Sequence, residues 1–326
     1  MSTTLESGSW QYRALNALNP GLDHLSLGLM DLVDEGHPVV AATADLKYSN
    51  GLSLFERHHP ERFIQFGISE QHMVSAAAGM ASAGLKPFVA TFASFLGLLC
   101  CEQIRMDVAY TGLPVRLIGH HTGISLGFYG TSHHATEDIS TMRALAGLTV
   151  VSPSDGPQLR AAIRASIDWP EPIYFRIGRG RDETIYSGDE GFEFGRGIEH
   201  GRGTDITFIS CGSLVHPSLE AARMLGEAGV SAGVIDMPTI KPIDEALIRE
   251  VSARTGVIVT AEEHNIIGGL GAAVAEVMAE NPARARLHRH GIRDEYSLIA
   301  PPTHLYRHYE LDADGLVAVA QRQLNR

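Results

Sequence analysis

Short apolar runs separated by amphipathic stretches recur along this chain. Phe63, Ile64 and Phe66 end at Gly67, Ser69, Glu70 and Gln71 then open an Ala-rich segment that stops at Gly84, and Pro87 to Thr91 is apolar again. That order predicts strand, tight turn, helix with a glycine stop, and strand. Upstream, Leu25, Leu29, Leu32 and Val33 predict an amphipathic helix within Leu22 to Glu35, followed by a short buried strand over Pro38 to Thr43. Downstream, Phe95 to Tyr110 predicts a continued helix, and Val115 to Gly119 a strand that delivers His120 and His121 at its carboxyl end. Pro157 to Ile167 predicts a further helix, and Ile173 to Arg179 a strand ending in arginines. Residues 1 to about 20 show no clear period and are expected to wrap a neighbour or fray.

A second block repeats the alternation. Asp205 to Ser210, Val230 to Asp236 and Gly256 to Thr260 predict strands, with helices beginning near Leu214, Ile243, Gly268 and Asp312. Between the blocks, Gly188, Gly191, Gly195, Gly197, Gly201 and Gly203 stand among charged residues, as in a linker. The expected fold is therefore α/β: a first domain over 1–190 with a parallel sheet flanked by helices, a linker over 191–204, and a smaller α/β domain over 205–326. A chain of 326 residues can give each domain its own core.

Composition narrows the function classes. Hydrophobic residues make up 44% and charged residues 20%, as in a globular protein. No run of about 18 apolar residues and no charged-then-apolar leader pattern is present, so a cytoplasmic location is expected. With 26 basic against 38 acidic residues and a net charge of -12, no basic cluster of nucleic-acid type stands out. The basic run Arg284 to Arg293 falls where the second domain's last strand should lie, as a solvated edge or a contact surface. Cys100, Cys101 and Cys211 form no CxxC pair, which argues against a disulfide framework or a zinc site.

Several side chains are placed for chemistry. Glu70 follows a strand and lies in the first turn of a helix, where open α/β sheets bind ligands; it could also serve only to complement the helix dipole. Phe92 and Phe95, three apart at a strand end, could form an aromatic bed or simply core. His121 and His133 flank a glycine-rich loop, and two histidines landing together after one strand favour a site. Arg176 has the planar fork that matches phosphate, or it could pair with an acid at a domain boundary. Gly268 to Gly271 lacks the Lys-Ser/Thr that would make it a phosphate loop and is expected to serve close helix packing.

The run Phe66-Gly67-Ile68-Ser69-Glu70-Gln71-His72, the Gly79 to Gly84 turn and Thr91-Phe92-Ala93-Ser94-Phe95 resemble the pyrimidine-binding domain of transketolases, which are thiamine diphosphate enzymes. In that family the matched glutamate hydrogen-bonds the aminopyrimidine and promotes the tautomer that deprotonates the thiazolium carbon. The resemblance thus implies a catalytic, cofactor-binding Glu70, with Phe92 and Phe95 against the pyrimidine and Asp45 near the cofactor. It further places Ser49 and Arg176 on the substrate phosphate. Aligning Gly130 and His133 with the family's Gly-Pro-Thr-His element brings His121 onto the family's upstream histidine, so both histidines would bind and orient the sugar. Where transketolases carry Glu-Asp before that glycine, this chain has Phe128-Tyr129. The phenol of Tyr129 can hydrogen-bond substrate but carries no charge at pH 7, so a donor or acceptor other than the ordinary pentose pair is expected. A further family arginine, expected upstream of Ser49, has no counterpart.

Ile240-Lys241-Pro242-Ile243-Asp244 and Glu262-Glu263-His264 resemble the carboxyl-terminal domain of transketolases and of 2-oxo-acid dehydrogenase beta subunits. The family's Gly-Asp-Gly followed by a downstream asparagine, which holds the diphosphate through Mg²⁺, is not matched. Gly188-Asp189-Glu190 and Ser154-Asp155-Gly156 come nearest, neither with a suitable asparagine after it. Magnesium ligation of that kind is not improvised by other side chains, so no metal is expected on this chain. The resemblance therefore implies a beta subunit of a split transketolase, completed by a separate diphosphate-binding subunit in an α2β2 assembly around this chain's own dimer. Two alternatives stand: the beta subunit of a 2-oxo-acid decarboxylating dehydrogenase component or a deoxyxylulose phosphate synthase-like enzyme, and a non-catalytic scaffold.

Overall fold

The computed structural model describes residues 22–180, 182–188, 190–282 and 284–326; the expectation for residues 1 to about 20 lies outside them. Seven strands form the first sheet: β1 (Val39–Thr43), β2 (Phe63–Gln65), β3 (Lys86–Phe92), β4 (Arg116–His120), β5 (Thr149–Val151), β6 (Ile173–Ile177) and β10 (Thr239–Lys241). Their order is β10-β5-β6-β4-β3-β1-β2, all pairs parallel except β10 with β5. β1, β4, β5 and β6 are buried throughout because helices cover both faces, which is why they read as continuous apolar runs.

Side chains alternate between two cores, as the two-residue period of a strand requires. Ala41, Phe88, Ile118 and Phe175 face the helices Asp23–Asp34 and Gly156–Ser166. Ala42, Val89, Leu117 and Tyr174 face the helix Glu70–Ser82 and the irregular helix after β3. That second core runs on without a break into Ile209, Ile235, Ile240 and Ile258 of the carboxyl-terminal half. The two halves therefore share this second core.

β7 (Ile198–Glu199), β8 (Ile206–Ser210), β9 (Ala232–Asp236), β11 (Val257–Asn265) and β12 (Arg286–Ile292) form the second sheet, in the order β12-β11-β8-β9-β7. The basic run falls on its edge strand β12, where charge discourages pairing with another sheet.

Three features add detail to the expected layout. Within 191–204, Phe192 and Phe194 pack on the first core, and β7 pairs antiparallel with β9. β10, from the carboxyl-terminal half, extends the first sheet at its β5 edge. The helix expected over Phe95 to Tyr110 consists of two π-helical stretches, Phe95–Leu99 and Ile104–Ala109, flanking Cys101–Gln103. At Gly97 an added Cβ would lie 3.0 Å from the Asp138 side chain, so the wide turn also brings a neighbouring helix close. Such π-turns recur at functional sites.

Candidate active site

Parallel pairing puts the carboxyl ends of β1, β2, β3, β4 and β6 on one edge of the first sheet. From β1 the chain goes outward to β2, then crosses to β3 on the other side, so the topological switch point lies between the ends of β1 and β3. Asp45 follows β1, Glu70 follows β2, Phe92 ends β3, His120 ends β4 and His121 follows it. Phe92 is in register with His120.

Glu70 is the first residue of its helix and only 6% exposed. An acid that merely offsets the helix dipole does so from solvent, so burial favours the ligand-site reading. Burial first, and then the negative charge of Glu70, push the Cys100 thiol up to about 12. Gln65 Oε1 accepts from Asp45 N at 2.6 Å and Gly67 N at 3.2 Å. It thereby ties the β1 exit loop to the turn that leads into Glu70. Asp45 itself is exposed with φ 61, and Ser49 lies half-buried beyond it.

Around Phe92 the structure gathers an aromatic cluster. Phe95 meets it edge-on at 5.5 Å, His120 lies at 4.9 Å, His121 at 5.3 Å and His133 at 5.4 Å between centroids. His133 also lies 5.2 Å from Phe95 and 5.1 Å from Tyr129, whose ring is largely exposed. Desolvation holds the His133 pKa below the ordinary histidine value. Burial holds His120 well below it, and the neighbouring His121 adds to the shift. Thr91 Oγ1, Ser94 Oγ and His120 Nε2 are buried without a hydrogen-bond partner. Two phenylalanines meeting edge-on at the end of β3, on the sheet edge where the buried Glu70 also lies, suit packing against an aromatic ring. The residues present thus fit the pyrimidine of thiamine diphosphate.

Arg176 is engaged by groups of the protein itself. Its Nε donates to Asp138 Oδ2 at 2.9 Å, and Nη2 donates to the carbonyls of Glu263 at 2.8 Å and Ala135 at 3.3 Å. The side chain is 2% exposed and joins the two halves. These contacts are those of its other reading from the sequence, an arginine paired with an acid at the boundary between the halves. Gly268 to Gly271 is likewise structural: Glu262 accepts from Leu270 N at 2.7 Å and Gly271 N at 2.9 Å, filling the helix start. Asp155 caps the Gly156–Ser166 helix through Gln158 N and accepts from Ile185 N and Tyr186 N. Asp189 lies outside the described residues.

The glycine-rich loop is held from the second half by contacts that local sequence does not signal. Glu263 Oε1 accepts from Ile124 N at 2.7 Å and Tyr306 Oη at 2.5 Å, and Oε2 accepts from Ser213 Oγ at 3.0 Å. A Cβ at Gly123 would lie 2.2 Å from the Glu263 side chain, and one at Gly130 2.8 Å from Ile299. His134 Nδ1 pairs with Ser297 Oγ. Close to the Glu70 helix, Gln71 Nε2 donates to the Leu99 carbonyl at 3.2 Å. Ile68 (85%), Leu98, Leu99 and Tyr110 (81%) are exposed. Among the described residues no helix is long and apolar enough to cross a membrane.

Residues 23–181 match the family described as "Transketolase, pyrimidine binding domain", and 195–316 match "Transketolase, C-terminal domain". The chain is 37% identical over 90% of its length to an apulose-4-phosphate transketolase subunit from Phocaeicola vulgatus, covering 93% of that protein. It is 34% identical over 91% of its length to the 6-deoxy-6-sulfo-D-fructose transketolase subunit SqwH of Clostridium sp. (strain MSTE9), covering 92% of it. A solved structure described as "Split gene transketolase, inactive beta4 tetramer" is similar with a TM-score of 0.87 and 37% identity, over 94% of this chain and 99% of that one.

Proposed function

The chain belongs to the transketolase family, and from that premise we propose that it is the beta subunit of a two-component, thiamine diphosphate-dependent transketolase. With a diphosphate-binding partner subunit it transfers a two-carbon ketol unit from a ketose phosphate to an aldose phosphate. The observation that carries this reading is the buried Glu70 on the same carboxyl edge of the sheet as the Phe92 and histidine cluster. The similarity to subunits of split transketolases, over more than nine-tenths of their length, supports a separate partner.

Bound thiamine diphosphate supplies the electron sink for breaking the donor's carbon–carbon bond. Glu70 hydrogen-bonds the pyrimidine nitrogen through its carboxyl and supplies the acid-base group there. Phe92 and Phe95 pack the pyrimidine and exclude water. His121 and His133 hydrogen-bond the sugar hydroxyls and fix the donor's orientation. Asp45 stands near the cofactor and Ser49 on the sugar side, with the exposed Tyr129 beside His133, where its phenol can hydrogen-bond substrate. Magnesium is held by the partner subunit. The exposed apolar set Ile68, Leu98, Leu99 and Tyr110 suits contact with further subunits in an α2β2 assembly around this chain's dimer.

The test is to mix the purified chain and its partner subunit with thiamine diphosphate, Mg²⁺ and a panel of donors. Consumption of a ketose phosphate with ketol transfer is expected. Pyruvate decarboxylation instead would replace this reading with the 2-oxo-acid one.

A further inference from the structure

His120 and His121 are consecutive, yet their rings meet: Nδ1 of one lies 2.7 Å from Nδ1 of the other, and the centroids are 4.8 Å apart. The contact exists because His121 adopts a left-handed φ of 57, with its N–H donating to the Gly178 carbonyl. This turns its ring back toward its neighbour instead of across the sheet, where alternation would send it. A hydrogen bond between two Nδ1 atoms holds one proton, so one ring donates and the other accepts.

The surroundings decide which ring donates. His120 is fully buried at the end of β4, 4.9 Å from Phe92, and its Nε2 has no partner. If His120 accepted at Nδ1, its own proton would sit on Nε2 as a buried donor with nothing to receive it, the rarest kind of unsatisfied group. If it donates from Nδ1, Nε2 carries only a lone pair. Burial, which keeps the ring neutral, closes off the doubly protonated form.

We propose that His120 is a positioning residue that donates from Nδ1 to His121 Nδ1, fixing His121 in the tautomer whose proton lies on Nε2. His121 thereby presents a fixed N–H donor, on the ring edge away from His120, to an acceptor oxygen of the donor sugar. This last consequence rests on the ketol-transfer reading; the tautomer assignment does not.

The experiment uses the full chain labelled with ¹⁵N-histidine. Long-range ¹H–¹⁵N correlation is expected to show one ring protonated at Nδ1, joined through the hydrogen bond to a ring protonated at Nε2. His120→Leu should erase that coupling. In the reconstituted enzyme it should raise KM for the ketose about tenfold, the worth of one neutral hydrogen bond, with kcat changed less than about threefold. His120→Asn, whose amide nitrogen can stand in for Nδ1, should restore KM. A spectrum placing the His120 proton on Nε2, or showing no coupling between the rings, overturns the assignment even if no donor is ever turned over. An unchanged KM in His120→Leu, or an Asn variant no better than Leu, overturns the role. Should His120→Leu fail to fold, the wild-type spectrum and the Asn variant decide both points.

Discussion

Replacing Asp138 with asparagine removes the countercharge from Arg176 while keeping the shape of the side chain. In the folded chain the two groups are 1% and 2% exposed and 2.9 Å apart, so water cannot take the place of the lost carboxylate. Breaking one partner of a buried pair typically costs about 3–5 kcal/mol. The lower end applies here, because Arg176 keeps its bonds to the Glu263 and Ala135 carbonyls, and Tyr174 Oη, now 2.8 Å from Asp138, can still donate to the amide oxygen. A loss of about 3 kcal/mol would be a large share of the roughly 5–15 kcal/mol that holds an ordinary protein folded. Urea unfolding followed by fluorescence and circular dichroism measures it. The companion variant Arg176→Lys keeps the charge without the fork, and in the reconstituted enzyme it should leave KM for phosphorylated sugars within about threefold of wild type, a change of well under 1.4 kcal/mol. A destabilisation below about 1 kcal/mol in Asp138→Asn, the level of a surface pair, would refute the boundary role. A KM rise confined to phosphorylated sugars in Arg176→Lys would return Arg176 to the substrate.

Two further outcomes follow from the same geometry. Leu99→Asp places a charge in the exposed apolar set with Ile68, Leu98 and Tyr110, and light scattering should then report a smaller particle than wild type; an unchanged mass would remove that surface from the assembly. Asp236 is fully buried, and burial pushes its carboxyl up to about 6 against the pull of hydrogen bonds from Tyr186, Gln158 and Ser154. Because the folded state then binds this proton better than the unfolded state, stability contributed below about pH 4 is lost as pH rises to about 6, by roughly 3 kcal/mol. Urea midpoints across that window should fall for wild type and flatten in Asp236→Asn; parallel curves would contradict it.

Much of the site could be read from the chain because its residues stand at the ends of strongly periodic strands. Phe92 ends and His121 follows a buried apolar run, whereas β2, ahead of Glu70, is three residues long and only partly buried, so Glu70 is placed by the helix it opens. What escaped depends on distant partners. The partner of Arg176 is Asp138, 38 positions earlier, which only the fold brings beneath it. The three residues of β10 are too few to show a period, and their partner strand belongs to the other half of the chain. Ser297 and Ile299 hold the glycine-rich loop from a segment with no repeating pattern. His120 was visible as the last residue before His121, but only the left-handed backbone at His121 brings the two rings together.

The claim that this chain supplies the acid-base carboxyl is tested most directly by Glu70→Ala in the complex with the partner subunit. Circular dichroism and complex formation should match wild type, because Glu70 makes the first turn of a helix whose core residues, Met73, Val74 and Ala77, are untouched. Ketol transfer with saturating thiamine diphosphate and Mg²⁺ should fall by at least about a hundredfold, the usual scale of a lost acid-base group. Full turnover by a folded, assembled Glu70→Ala complex would contradict the account.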